Sequence, residues 1–437
     1  MTHEIKAKTP SDIQKSAIYR KISLRLMPVI IIAYFIAYID RTNISIAKLQ
    51  MSVDLGLSDA AFGLGAGLFF LGYFLFEVPS NLYMVKVGAK RTICRIMVLW
   101  GVISLLFVFV NSEWVFYILR FLLGAAEAGF FPGVILFLTQ WYPAVRRARA
   151  TGAFFVAIPL SGMLGSPLGG WIMQSMDGTL GLPGWHWLFI IESIPAIIMG
   201  IVVLFVLPDN PDDAKWLSAE EREIVKADLD HDLEVKSGHA SGTIRSLFRN
   251  KWLALLTIII FIQALGSYAL SFWLPSLVAA AGVKGLLNIG LVSAIPFAVG
   301  VLGILLFTRS SDRLRERRWH LAIAFVTTAV GLIASILLTG QVVPSMIMLC
   351  VAAAGTYGVS AIVWNLPPMV LSGVGAAAGL AALNSIGSLA GFVAPSLLGY
   401  TTSFFGSADV GLVIISASVI LGAILTLILP KRIFNPK

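Results

Sequence analysis

The number of long apolar runs constrains this chain more than any single motif does. Twelve stretches can each supply the roughly 20 helical residues that a bilayer requires. They lie near 23–45, 60–84, 92–110, 114–140, 149–174, 187–207, 252–281, 288–308, 319–339, 343–366, 374–403 and 409–430. The runs are continuous rather than alternating, so helices, and not the strands of a barrel, must satisfy the backbone inside lipid. With 58% apolar residues, 13% charged residues and a mean hydropathy of +0.87, the 437-residue chain reads as an all-α integral membrane protein. Length alone would have suggested two or three soluble domains.

The net charge of +9 could point to a nucleic-acid partner, but the basic residues alternate by loop. Lys15, Arg20, Lys21 and Arg25 precede the first span. Lys86, Lys90, Arg91 and Arg95 follow the second, Arg146, Arg147 and Arg149 the fourth, and Arg309, Arg313, Arg315, Arg317 and Arg318 the eighth. Lys431, Arg432 and Lys437 follow the twelfth. The intervening loops carry almost none. This bias predicts that both termini are cytoplasmic, and it needs no nucleic acid to explain it. Residues 1–20 lack signal-peptide character, so the first span is expected to remain in the mature chain. Cys94 and Cys350 both fall in apolar segments and give no disulfide or metal framework.

The expected organisation is a cytoplasmic N-terminal segment (1–22), a six-helix bundle (23–207), a cytoplasmic linker with a helix (208–250), a second six-helix bundle (251–430) and a cytoplasmic tail (431–437). The linker holds ten of the 23 acidic residues, which marks it as solvated. Ser218 and Glu221 have capping-box spacing, so a helix is expected to start there and run towards Val235. The linker reads as a solvated tether between the bundles, with a regulatory or partner-binding role as the alternative. Basic second-to-third loops recur in both halves, Lys86–Arg91 in the first and Arg309–Arg318 in the second. The repeat implies a pseudo-two-fold axis along the membrane normal, with a binding site between the halves.

Several stretches carry a family resemblance: YIDRTNISIA (38–47), FFLGYFLFEVPSNL (69–82), RFLLGAAEAGFFPG (120–133), QWYPAVRRARA (140–150), GLPGWHWLFIIE (181–192), SFWLP (271–275), SSDRLRERRWH (310–320) and LNSIGSLAGFVAP (383–395). Spread over the whole chain, they resemble the major facilitator superfamily. Within it they resemble the anion:cation symporters, in the branch carrying tartrate, phthalate, 4-hydroxyphenylacetate and sugar-acid anions. The resemblance implies a twelve-helix transporter in a cytoplasmic membrane that takes up organic anions with protons. The first-half loop departs from the family in lacking an acidic residue between Gly88 and the basic pair Lys90 and Arg91. The second-half loop keeps Asp312 beside Arg313. These four are the expected loop-gating residues.

Charged residues inside the apolar runs are costly and point to function. If the first helix ends near Ser45, Asp40 and Arg41 lie about 6–8 Å below its outer end at 1.5 Å per residue. Arg120 then lies roughly 9 Å and Glu127 roughly 20 Å below the outer end of the fourth span. Asp40, Arg41 and Arg120 are expected to share a level, with Glu127 deeper and, seven residues from Arg120, on the same face. The four could simply lock the first helix to the fourth. Against this, spans seven to twelve carry no acidic or basic residue away from their ends, although they would need such clamps equally.

An organic carboxylate needs a permanent cation, and a guanidinium offers a planar fork that stays charged in a dry site. Arg41 is the first candidate and Arg120 the second. A symported proton needs an acid whose surroundings change, because burial favours the protonated carboxyl and a nearby arginine the ionised one. Glu127 and Asp40 fit that requirement, and the resemblance implies the same roles for the four charges. Tyr73, Gln263, Tyr268, Tyr357, Trp364, Asn365 and Asn384, with Ser385, could supply neutral contacts to the substrate, although polar packing inside the bundle explains each equally well. Glu77 reads as a packing or gating residue. Glu192, following Trp185-His186-Trp187, reads as part of an interfacial helix start. The Gly-rich segment 162–171 approaches a motif of drug antiporters, but its spacing is one residue short.

No phosphate loop, metal-ligand cluster or Ser/His/Asp set is present, so no enzyme and no cofactor beyond the coupling proton is expected. The partners are then the organic anion, the proton and the bilayer, with the protein a monomer. A drug exporter of the same fold and a transporter-like sensor are the alternatives.

Overall fold

The computed structural model describes residues 10–143, 146–147, 157–237, 250–367 and 375–434, and among these there is no strand. Fourteen helices carry the architecture: α1 (Pro10–Asp54), α2 (Asp59–Val87), α3 (Ala89–Leu105), α4 (Glu113–Glu127), α5 (Phe130–Trp141), α6 (Ala157–Ser175), α7 (Gly184–Val206), α8 (Ala219–Ser237), α9 (Lys251–Ala280), α10 (Leu286–Leu314), α11 (Arg318–Leu337), α12 (Val342–Val363), α13 (Gly375–Phe405) and α14 (Asp409–Ile428). Among the described residues eleven segments are long and apolar enough to cross a membrane, with α4 and α5 together forming one. The remaining span is α6, whose Gly, Ser and Pro lower its hydropathy and which packs between α1, α7 and α10. The start of that run, residues 149–156, lies outside the described residues.

The first half packs through α2 on α4, α3 on α7 and α1 on α6 and α7, and the second through α11 on α12 and α14 and α10 on α12. The halves meet along α2 with α13, α6 with α10, and α1 with α9. These seams are closest at the end away from the basic loops. A Cβ on Gly63 would sit 2.3 Å from the Pro395 carbonyl oxygen, so α2 and α13 touch backbone to backbone there. At the same end the Ala60 N–H donates to Ser403 Oγ at 2.8 Å and the Leu287 N–H to Gln174 Oε1 at 3.0 Å. Lys48 of α1 pairs with Asp59 at 2.6 Å and lies 4.0 Å from the ring centroid of Trp273 on α9. The bundle is therefore sealed at the end opposite the basic loops.

Three features differ from the sequence reading. First, α1 continues through Lys48-Leu49-Gln50-Met51-Ser52-Val53 to Asp54 and begins as early as Pro10, so residues 10–22 are helix. Second, the fourth span is broken. α4 ends at Glu127, Ala128 is extended (φ −57°, ψ 132°), and Gly129 takes the left-handed conformation (φ +87°) that a side chain disfavours, before α5 resumes. A Cβ on Gly129 would also lie 2.6 Å from Ser80 Oγ.

Third, the linker helix α8 docks on the first half. Its capping box forms reciprocally: the Glu221 N–H donates to Ser218 Oγ at 3.1 Å and the Ser218 N–H to Glu221 Oε2 at 2.8 Å. Lys21 then reaches Glu221 at 2.7 Å and Lys15 reaches Asp228 at 2.6 Å, both from the early turns of α1. Trp216 stacks on Trp141 at the end of α5, with Arg25 4.9 Å from its ring centroid. What read as a tether is held to one bundle by charge and aromatic stacking from Trp216 to Asp228; residues 238–249 lie outside the described residues. The hydrogen bonds from Lys21 and from the Ser218 backbone hold the Glu221 carboxyl below its ordinary value. The ion pair thus favours docking at neutral pH and weakens as pH falls below the ordinary carboxylate range. Lys21→Glu is expected to loosen α8 by no more than about 1 kcal/mol, as for solvent-screened pairs. Protease sensitivity of the linker, rising in the variant and in the parent at acid pH, is the measurement that checks it.

Candidate functional site

The longer α1 moves the charged residues. Counted from Asp54, Arg41 lies about 20 Å and Asp40 about 21 Å from the sealed end, level with Glu127 at about 21 Å from the start of α4. Arg120 lies two turns nearer that end. The expected level is corrected accordingly: Asp40 and Arg41 belong with Glu127 rather than with Arg120. The cause is the polar segment 48–54, which reads as loop but continues the helix.

Arg41 Nη2 donates to Glu127 Oε1 in a direct ion pair. Glu127 is the last residue of α4, where unpaired carbonyls gather partial negative charge and favour a cation such as Arg41. The Arg41 guanidinium is ringed by aromatic faces, 5.0 Å from the Tyr38 centroid and 5.3 Å from both Phe69 and Tyr73. From the second half Tyr268 lies nearby, its ring 4.5 Å from that of Phe70. Arg41 therefore sits between the two bundles with 11% of its side chain exposed, against 2% for Glu127. Asp40, on the other side of α1, accepts from Ser104 Oγ at 2.7 Å.

Arg120 is wholly buried and donates to the Gly65 and Ala66 carbonyls, both at 3.3 Å, with its guanidinium 4.9 Å from Phe69. In this state Nε and Nη2 tie α4 to α2, while the buried Nη1 has no hydrogen-bond partner. Phe69 thus separates the two arginines. Phe69 stands inside the apolar run 60–84 without a role of its own in the sequence reading, and its spacing of four from Tyr73 is the signal that places both on one face.

Glu77 lies about 27 Å from the start of α2, closer to the basic loops than Arg41. It accepts from Asn384 Nδ2 at 2.9 Å and Ser385 Oγ at 2.5 Å, latching α2 to α13. Asn384 and Ser385 are therefore engaged by Glu77 in this state. Gln263 donates to Ser360 at 2.6 Å inside the second half, and Tyr357 packs on Phe297 with ring centroids 6.4 Å apart. Trp364 is half-buried at the end of α12, and Asn365 is exposed, its amide bonded to the Ala361 carbonyl at 2.8 Å. Of the neutral candidates Tyr73 faces Arg41 directly, and Tyr268 lies beside it through Phe70.

The acidic residue missing from the first basic loop is supplied from elsewhere. Asp209, just after α7, accepts from the Lys90 N–H at 2.8 Å at the start of α3 and lies against Gly88. In the second half Glu316 accepts from the Trp319 N–H at 2.8 Å and caps α11 in the same manner. Arg91, Asp312 and Arg313 are exposed, and Asp312 lies 3.9 Å from Arg317.

The model of the Major Facilitator Superfamily matches residues 30–395, most of the chain. The chain belongs to the Major Facilitator Superfamily. Among superfamily relatives, a protein described as a putative tartrate transporter of Agrobacterium vitis is 44% identical over 97% of this chain and 93% of its own. A quinolone resistance transporter of Acinetobacter baumannii is 39% identical over 98% of both chains. A bacterial homologue of the human lysosomal transporter Spinster, solved in an inward-facing and occupied conformation, shares the fold with a TM-score of 0.74. It is 18% identical, over 92% of this chain and 96% of that one. The expected membership and helical fold are thus established, and the chain is a multi-pass membrane transporter.

Proposed function

We propose that the chain is a proton-coupled symporter that imports a small organic carboxylate, such as an aromatic acid, a hydroxy or dicarboxylic acid or a sugar acid, by alternating access. The observation that carries this reading is the Arg41–Glu127 pair, buried at mid-depth between the halves and ringed by Tyr38, Phe69 and Tyr73. A guanidinium held by a carboxylate can exchange that partner for a substrate carboxylate once the glutamate takes a proton. Charge then stays balanced throughout: Arg41 is neutralised by Glu127 before the exchange and by substrate after it. The aromatic faces suit an apolar or stacking body attached to the carboxylate. The relative described as a tartrate transporter supports the substrate class.

In this reading the basic loops face the cytoplasm of a bacterial cell, and the sealed end faces outward. The Glu77 latch lies on the cytoplasmic side of Arg41, so both exits are narrowed and release inward requires Glu77 to part from Asn384 and Ser385. The proton is the only coupling ion and the transporter works as a monomer without a cofactor.

Export is the second reading, favoured by the relative described as a quinolone resistance transporter. Purified protein in proteoliposomes distinguishes the two. Substrate-dependent proton entry, with organic-acid accumulation under an inward proton gradient, is the expected result. Quinolone extrusion with no carboxylate uptake would sink the symport reading.

A further inference from the structure

Glu192 on α7 is not at an interface, as its aromatic neighbours suggested, but 5% exposed, about 12 Å along the helix from Gly184. Among the described residues four carboxyls are buried: Asp40, Glu77, Glu127 and Glu192. Asp40 has Ser104, Glu127 has Arg41, and Glu77 has Asn384 and Ser385. Neither carboxyl oxygen of Glu192 makes a hydrogen bond of ordinary geometry. Its polar neighbour on α1 is Asn43, whose side-chain amide faces the carboxyl and has no other hydrogen-bond partner. Asn43 is three residues from Asp40 and so lies on the same face of α1.

Of the elements packed on α7, α1 carries two cations near this depth, Arg41 and Lys48, but they pair with Glu127 and Asp59 and neither bonds Glu192. α6 carries no titratable residue, and the titratable residues of α3, Lys90, Arg91, Cys94 and Arg95, lie in its first two turns near the basic loops. On α7 itself the other titratable group is His186, beside Trp185 at the sealed end. The two arginines of the first-half interior are matched by Asp40 and Glu127. A further unpaired carboxylate would cost several kcal/mol, whereas the neutral acid costs only its unmade hydrogen bonds.

We propose that Glu192 is a second proton-binding site, protonated in this sealed state and exchanging its proton with Asp40 during transport. The O–H bond on Glu192 breaks as one forms on Asp40, so net charge is conserved within the bundle. Glu192 lies between the sealed end and Asp40, and it faces Asn43 rather than the substrate position at Arg41. It thus acts on coupling and not on recognition. This role rests on the symport reading above.

Two measurements test it on the full chain. Infrared spectra of the purified protein at neutral pH are expected to show the carbonyl band of a protonated, weakly hydrogen-bonded carboxyl that is absent in Glu192→Gln and retained in Glu127→Gln. In proteoliposomes Glu192→Gln, which keeps the shape of the neutral acid, should retain substrate exchange while the accumulation driven by one pH unit falls by up to about tenfold. Its dependence on external pH should flatten. A band unchanged by Glu192→Gln overturns the protonation, and an unchanged pH profile and proton-to-substrate ratio overturn the exchange with Asp40. The infrared measurement needs no transport, so a parent protein that moves no acid with protons defeats the symport reading alone.

Discussion

Glu127→Gln is expected to abolish proton-driven accumulation while leaving substrate exchange intact. The amide reproduces the protonated carboxyl in shape and charge, so Arg41 is permanently released from its partner and remains available to a carboxylate. What is lost is the cycle of proton uptake and release. Each proton entering down one pH unit supports about tenfold accumulation, from the 1.36 kcal/mol that one unit represents. The variant should therefore equilibrate its substrate across the membrane without concentrating it. Counterflow of labelled substrate, measured beside uptake under an imposed pH gradient, separates the two activities. Accumulation equal to the parent's would move the proton site away from Glu127. Removing one partner of a buried pair also leaves the other charge uncompensated, at about 3–5 kcal/mol. Substrate should offset part of that cost, so ligand-induced thermal stabilisation should be larger in Glu127→Gln than in the parent.

Arg41→Lys has the second large effect. Lysine keeps the charge and hence the pairing with Glu127, but loses the planar fork and the flat face that lies against Tyr38, Phe69 and Tyr73. Loss of one charge-assisted hydrogen bond costs about 1.5–3 kcal/mol, so substrate affinity should fall by roughly ten- to a hundredfold. Thermal stability without substrate should change far less, because the ion pair survives. Binding measured by calorimetry decides this, and parental affinity would place the carboxylate elsewhere. Arg120→Lys makes the contrast: its two carbonyl bonds tie α4 to α2, so it should lower stability before affinity.

The charges themselves were legible because lipid makes each one conspicuous. Asp40, Arg41, Arg120 and Glu127 stand out in apolar runs, and helical rise predicts approximate depth. The errors came from helix ends. Residues 48–54 are polar enough to read as loop, yet Lys48 is satisfied by Asp59 and Trp273, a tertiary arrangement that no local pattern encodes. The break after Glu127 was partly readable: Gly129 is followed by Pro132, which sits in the first turn of α5, where its missing N–H costs nothing. Within an uninterrupted apolar run that signal is easily passed over.

Contacts distant in sequence were not readable at all. Asp209 caps α3 from 119 residues away, and Glu77 meets Asn384 across 307. Glu192 was misplaced because aromatic residues mark interfaces on average, while burial of this acid is decided by how α7 packs on α1 and α3.

The docking of α8 has a bearing on how the transporter can be watched. Because this helix is pinned to the early turns of α1 and the end of α5, it travels with the first bundle as an outrigger, clear of the substrate path. A probe on its exposed face and another on the loop between α10 and α11 would report the relative swing of the two halves as a single distance. Rocking could then be timed with every residue of the transport pathway left unaltered.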